Sequence, residues 1–142
     1  MYKVRWLIGI AFLLCNSICD VRNRKVSVKS IAIFIPLIGI LNLLDKSWHI
    51  EKGLIGCVPG LVLMLISWIK PMALGMGDGI CVLLLGFVWG FEDLLGICLL
   101  AFIAASVIGV ILIVIKKATR ATRFPFVPFL FIASIVISIK GW

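Results

Sequence analysis

Charged residues are scarce in this sequence of 142 residues, of which 14% are charged and 63% are hydrophobic. A soluble domain with a mean hydropathy of +1.27 would expose a large apolar surface, which soluble proteins avoid. The polar stretches between the apolar runs are too short to form a separate soluble domain. We therefore expect a single polytopic membrane domain over residues 1–142.

Residues that commonly bind metals are few and scattered. Of the five cysteines, Cys15 and Cys19 form a CxxxC pattern without a second pair or a nearby histidine, and the other three lie within apolar runs. This spacing supports neither a zinc site nor a disulfide framework. The single histidine, His49, is expected to contact lipid headgroups rather than to take part in catalysis. The sequence therefore predicts no metal and no other cofactor.

The net charge of +8 comes from short basic clusters beside apolar runs. Such clusters orient a protein in an anionic membrane, whereas a nucleic-acid surface needs basic residues along one solvated face. We therefore expect the lipid bilayer, and no nucleic acid, as a partner. The apolar run after Lys3 and Arg5 is expected to be a first membrane span rather than a cleaved signal, because no small-residue cleavage site follows it.

Six apolar runs can be recognised, and they predict an all-α integral membrane protein with about six transmembrane helices. The runs are Trp6 to Cys19, Ser30 to Leu44, Gly53 to Ile69, Ile80 to Phe91, Leu94 to Ile115 and Phe126 to Ile139. The second, fourth and sixth are shorter than the roughly 20 residues that a span usually needs. Short spans suggest a thinned bilayer or a water-filled cavity, which the non-helical backbone expected at Gly75 to Gly79 would also need.

The polar breaks between the runs alternate in charge. Lys and Arg dominate the first, third and fifth breaks, so these are predicted to face the cytoplasm and both termini to lie outside. The five tryptophans all fall near the ends of predicted spans, as expected for residues in the headgroup layer: Trp6, Trp48, Trp68, Trp89 and Trp142. This topology leaves Asp20 and Asp78 as the only carboxylates on the cytoplasmic side.

Asp20 and Asp78 are also predicted to lie at equal depth. A rise of 1.5 Å per residue places Asp20 about 22 Å from Arg5 and Asp78 about 21 Å from Glu92. Two carboxylates at one membrane site cannot both ionise easily, so one could activate water while the other, protonated, polarises a carbonyl. On these residues alone, the alternative stays open that Asp20 is a solvated ion-pair partner of Arg22 or Arg24 and that Asp78 is an ordinary residue at a helix start.

Three segments carry a resemblance to a known family. They are Asp20-Val21-Arg22 after the first span, Gly75-Met76-Gly77-Asp78 before the fourth, and Arg123-Phe124-Pro125-Phe126-Val127-Pro128-Phe129 before the last. In order and spacing the chain resembles the type IV prepilin peptidases, which are GxGD-type intramembrane aspartyl proteases. It resembles the small peptidase-only members that serve tight-adherence (Flp) pili, because its first cytoplasmic break is short and has no paired CxxC motifs.

The resemblance implies an aspartic endopeptidase of the cytoplasmic membrane that cuts prepilin-like proteins between their basic leader and their hydrophobic segment. It implies Asp20 and Asp78 as the catalytic residues, with Gly75, Met76, Gly77 and Gly79 in the active-site loop. We expect Arg22 to set membrane orientation, with contact to substrate or to Asp20 as its alternative role.

The chain departs from the family pattern at two places. Gly79-Ile80 stands where the family often has Val-Lys, and Ser27-Val28 stands where it often has Pro-Asn. The first departure removes a charge partner for the aspartates and bears on substrate preference. Two other functions remain open: a proton- or ion-coupled transporter subunit, and an inactive homologue that acts in pilus assembly. The oligomeric state and the identity of the substrate are not predicted.

Overall fold

The protein is described here by a computed structural model over residues 2–23, 26–45, 49–70, 75–115 and 125–141. These ranges contain seven helices: α1 (Tyr2–Asn23), α2 (Val28–Leu44), α3 (Ile50–Gly56), α4 (Val58–Ile69), α5 (Met76–Trp89), α6 (Phe91–Val114) and α7 (Val127–Gly141). Only Cys57 separates α3 from α4, and the two form one apolar segment, Ile50–Ile69. The described chain therefore has an apolar helical segment at the place of each predicted run.

Three of these segments are long and apolar enough to cross a membrane: Lys3–Asn23, Ile50–Ile69 and Phe91–Val114. The other three apolar helices are shorter: Val28–Leu44, Met76–Trp89 and Val127–Lys140. The prediction that the second, fourth and sixth segments are short is thus confirmed, as is the all-helical class. The number of crossings and the side on which each terminus lies stay predictions.

Local sequence explains where several helices begin and end. Ser27 has an extended backbone, and its hydroxyl accepts a hydrogen bond from the Ser30 amide, which caps α2. Pro128 is the second residue of α7, where a missing N–H leaves no helical bond unmade. Pro36 lies inside α2, which continues through it from Val28 to Leu44.

A single residue, Gly90, joins α5 to α6. Its φ of 89° lies in the left-handed region that glycine adopts at little cost, so the chain turns there between the two helices. We expected the break at Glu92 and Asp93, but both carboxylates lie in the first turn of α6. That position is favourable, because the partial positive charge of a helix N-terminus attracts acidic side chains.

The centre of the bundle is α5, which packs against α1, the α3–α4 segment and α6. Its fully buried apolar side chains include Cys81, Val82, Leu85 and Val88. Glycines permit the close approach of the neighbouring backbone: a Cβ added at Gly86 would collide with the carbonyl group of Gly56. Small residues at helix contacts are the usual means of close packing in membrane proteins.

A buried ion pair lies where α1 begins and α2 ends. Arg5 Nε is 3.2 Å from Asp45 Oδ2, both residues are less than 10% exposed, and Arg5 also donates to Asn42 Oδ1 at 2.8 Å. The topology argument had assumed that Arg5 marks the membrane surface and that Asp45 belongs to an outer polar loop. The structure adds that the two charges compensate each other in a buried pair, while the side of the membrane on which they lie stays a prediction.

The tryptophan argument also needs correction. The rings of Trp6 and Trp89 stack with centroids 4.5 Å apart, and both residues are buried in the core. They hold the start of α1 against the end of α5 rather than anchoring the protein in headgroups. Trp68 is 73% exposed, whereas Trp48 and Trp142 lie outside the described residues.

Candidate active site

Asp20 lies on the last turns of α1 and is 5% exposed. Its Oδ2 accepts a hydrogen bond of 3.4 Å from the backbone N–H of Val127, the first residue of α7. The first N–H groups of a helix have no partner within the helix, so they suit a carboxylate. The contact joins the Asp20 segment to the Pro125–Phe129 segment, although Arg123 and Phe124 lie outside the described residues.

Asp78 lies in the first turn of α5 and is 8% exposed. The residue before this helix, Gly75, has an extended backbone, and a Cβ built on Gly75 would be 3.1 Å from Asp78 Oδ2. The carboxylate therefore folds back over the start of its own helix. The sequence had predicted non-helical backbone from Gly75 to Gly79, and this was wrong, because α5 begins at Met76.

The two aspartates lie at the same end of the bundle. Cys81, one turn after Asp78 and fully buried, is within electrostatic range of both the Asp78 and the Asp20 carboxylates. We call this region, formed by Asp20, Asp78, Cys81 and Val127, the aspartate end. The Arg5–Asp45 pair lies at the opposite end, because it joins the start of α1 to the end of α2.

The glycines beside Asp78 make room for other parts of the protein. A Cβ on Gly77 would lie 2.6 Å from Val26 Cγ2, and a Cβ on Gly79 would lie 2.6 Å from Met64 Cγ. Real side chains do not approach this closely, so both positions need glycine for internal packing. The family resemblance had placed both glycines in an active-site loop. Met76, which lies between Gly75 and Gly77, is 51% exposed.

A cleft of about 470 Å³ opens beside the aspartate end and is lined by Cys19, Asn23, Val26 and Ser27. Two of these residues flank Asp20 on α1, and Val26 contacts Gly77 on the other side. Arg22 was expected to set membrane orientation, or alternatively to contact the substrate or Asp20, and it is exposed on the last turn of α1. The cleft therefore lies beside the segment of α1 that carries Asp20.

Sequence reasoning missed two contributors to the aspartate end. Cys81 was interpreted only as a small apolar residue, although its spacing of three from Asp78 puts both on one helix face. The N–H of Val127 could not be anticipated from residue types, because every residue but proline carries one. Among the described residues there is no group of three or more His, Cys, Asp or Glu side chains that could hold a metal ion.

The aspartates can do acid–base chemistry. Where two carboxylates share a site, a state with one proton between them is favoured over a state with none. In that state one carboxylate can accept a proton from water while the other donates a hydrogen bond to a carbonyl oxygen.

Comparison with known proteins gives one significant match. The model of the type IV leader peptidase family matches residues 7–114, a range that includes Asp20 and the segment Gly75 to Asp78 and ends before α7. No curated protein and no solved structure matches the chain significantly.

Proposed function

Because this chain belongs to the type IV leader peptidase family, we propose that it is an aspartic endopeptidase that removes the basic leader of prepilin-like proteins. The observation that supports this proposal most directly is the presence of two buried carboxylates, Asp20 and Asp78, at one end of the bundle. Both belong to segments through which the sequence resembles prepilin peptidases.

In the proposed mechanism, the ionised aspartate takes a proton from a water molecule, which attacks the scissile carbonyl carbon. The protonated aspartate stabilises the oxygen that becomes negatively charged, and proton transfer to the leaving amine then allows the peptide bond to break. The reaction consumes one water molecule and forms no covalent enzyme intermediate.

We further propose that the aspartate end faces the cytoplasm of the cytoplasmic membrane. Substrate leaders are basic and stay in the cytosol, whereas the following segment is apolar and enters the bilayer. A site at the cytoplasmic end therefore reaches the bond where the two parts meet. The chain shows no paired CxxC insertion, so the new amino terminus is expected to leave this enzyme without methylation.

The orientation can be tested by cysteine labelling in a background without native cysteines. An impermeant maleimide should modify His49→Cys in intact cells, because His49 precedes α3 at the end away from the aspartates. The same reagent should modify Arg120→Cys only after permeabilisation, because the basic cluster at 116–123 is predicted to face the cytoplasm. The reverse pattern would put the aspartates on the wrong side for leader removal.

The function itself can be tested by co-expressing the chain with Flp-type prepilins in a host that lacks its own prepilin peptidases. We expect a product whose mass and amino-terminal sequence place the cut just before the hydrophobic segment. EDTA and serine- or cysteine-directed inhibitors are expected to leave cleavage intact, unless a thiol reagent blocks access to the cleft. Uncleaved substrate with several prepilins, while the chain is present in the membrane, would refute the peptidase proposal and favour an assembly role.

A Cβ at position 77 should disturb the site through a neighbour that can itself be changed. Gly77→Ala is expected to lower cleavage about 10- to 100-fold, because the methyl group would collide with Val26 and displace the first turn of α5. Val26→Ala in the same chain should restore most of the activity, since the colliding Cγ2 is removed. Gly39→Ala is the control, as no atom lies within 4 Å of its added Cβ. A double variant as slow as Gly77→Ala would show that the collision is not the cause.

A further inference from the structure

Asn16 is a fully buried polar side chain on α1, one turn before Asp20. Its Nδ2 donates to the carbonyl oxygen of Phe12 at 3.0 Å, and its Oδ1 accepts from the backbone N–H of Ser27 at 3.2 Å. Burying an amide in an apolar span is costly unless both of its polar ends are bonded. The bond to Ser27 is the one that reaches outside α1, to the start of α2.

Ser27 connects this bond to the aspartate end. It precedes the first residue of α2, so its N–H lies outside that helix and is available to Asn16. The preceding residue, Val26, lies against Gly77 in the first turn of α5. A chain of direct contacts thus runs from Asn16 through Ser27 and Val26 to the residue next to Asp78.

We propose that Asn16 is a positioning residue for the two aspartates. By holding the Ser27 N–H, it fixes Val26 against Gly77, and this sets the first turn of α5 relative to the end of α1. Asn16 has no contact with the reacting groups in this scheme and acts only through the Val26–Ser27 segment. The kinetic part of the inference rests on the proposed peptidase function, whereas the structural part does not.

The hydrogen bond between Asn16 and Ser27 can also be removed by changing its donor, Ser27. The Ser27 φ of −74° is close to the value that proline imposes, so Ser27→Pro keeps the backbone angle while its ring Cδ replaces the amide hydrogen and displaces the Asn16 oxygen. Ser27→Ala is the matched control, because it loses the same capping hydroxyl but keeps the N–H. Asn16→Leu removes the acceptor with little change in side-chain size.

Asn16→Leu is expected to lower kcat about tenfold with KM changed less than twofold, because the aspartates are misaligned while the substrate cleft remains. The same loss is expected when Asn16→Leu is made in the Ser27→Ala background. In the Ser27→Pro background the additional loss should be less than twofold, since no N–H remains to be held. Ser27→Pro alone should be about tenfold slower than Ser27→Ala. This comparison tests the hydrogen bond even if the Asn16→Leu variant does not accumulate in the membrane.

Amide hydrogen exchange at Ser27, followed by NMR in detergent micelles, tests the bond without any activity. Exchange should be about tenfold faster in Asn16→Leu than in the parent protein and unchanged at an amide of the distant Trp6–Trp89 contact. Equal kinetic losses in all three backgrounds, or no loss, would overturn the positioning role. Unchanged exchange at Ser27 in Asn16→Leu would overturn the inference whatever the kinetics. If exchange is faster in Asn16→Leu but the parent protein cleaves no prepilin, only the peptidase function is refuted.

Discussion

Replacing either Asp20 or Asp78 with asparagine is expected to reduce leader cleavage on the order of 10³-fold or more. Asparagine preserves the size of the side chain but can neither accept a proton from water nor share one with the other carboxylate. The double variant should be no slower than either single variant, because residues that act as one catalytic unit are not additive.

The measurement is the rate of prepilin cleavage by purified protein in micelles, normalised to the amount of folded chain. Glu51→Gln is the matched control: it makes the same carboxylate-to-amide change at an exposed residue in the first turn of α3, and cleavage should be retained. Appreciable turnover by either aspartate variant would remove that residue from the mechanism.

Gly86→Ala is expected to destabilise the protein by about 2–4 kcal/mol, although alanine is the better helix former. The added methyl group would collide with the carbonyl group of Gly56, so α5 and the α3–α4 segment must separate. Because this contact is between backbones, no side-chain rotation can relieve the collision. Loss of packing around α5 should also lower the amount of chain that accumulates in the membrane.

Thermal unfolding in micelles and the membrane yield give the comparison. Gly109→Ala is the control, because it makes the same change on α6 where no atom lies within 4 Å of the new Cβ. That variant should be as stable as the parent or slightly more stable. Equal unfolding temperatures for Gly86→Ala and the parent would mean that the two backbones do not pack as closely as described.

Much of the helical pattern could be predicted from the sequence, because apolar runs and charged breaks are local features. The runs, the shortness of the second, fourth and sixth, and the membrane class all follow from residues near one another in the chain. The family was also predictable from three short segments, and the family match confirms it. The catalytic roles of Asp20 and Asp78 stay predictions.

Contacts between distant parts of the chain could not be predicted in the same way. The Arg5–Asp45 pair joins residues 40 positions apart, and either residue alone is indistinguishable from a surface charge. Trp6 and Trp89 lie near helix ends, where both a headgroup position and an internal stack are physically reasonable. The same limit applies to Gly77, where a Cβ would collide with Val26 on another segment of the chain.

The glycine contacts along α5 leave no space between this helix and α4. A Cβ at Gly60 would meet the Leu83 backbone, and one at Gly79 would meet Met64, so α4 and α5 touch along their length. A peptide in the bilayer cannot pass between two helices in such contact unless the helices separate. The α4 side of α5 is therefore closed to such a peptide as long as the two helices stay packed.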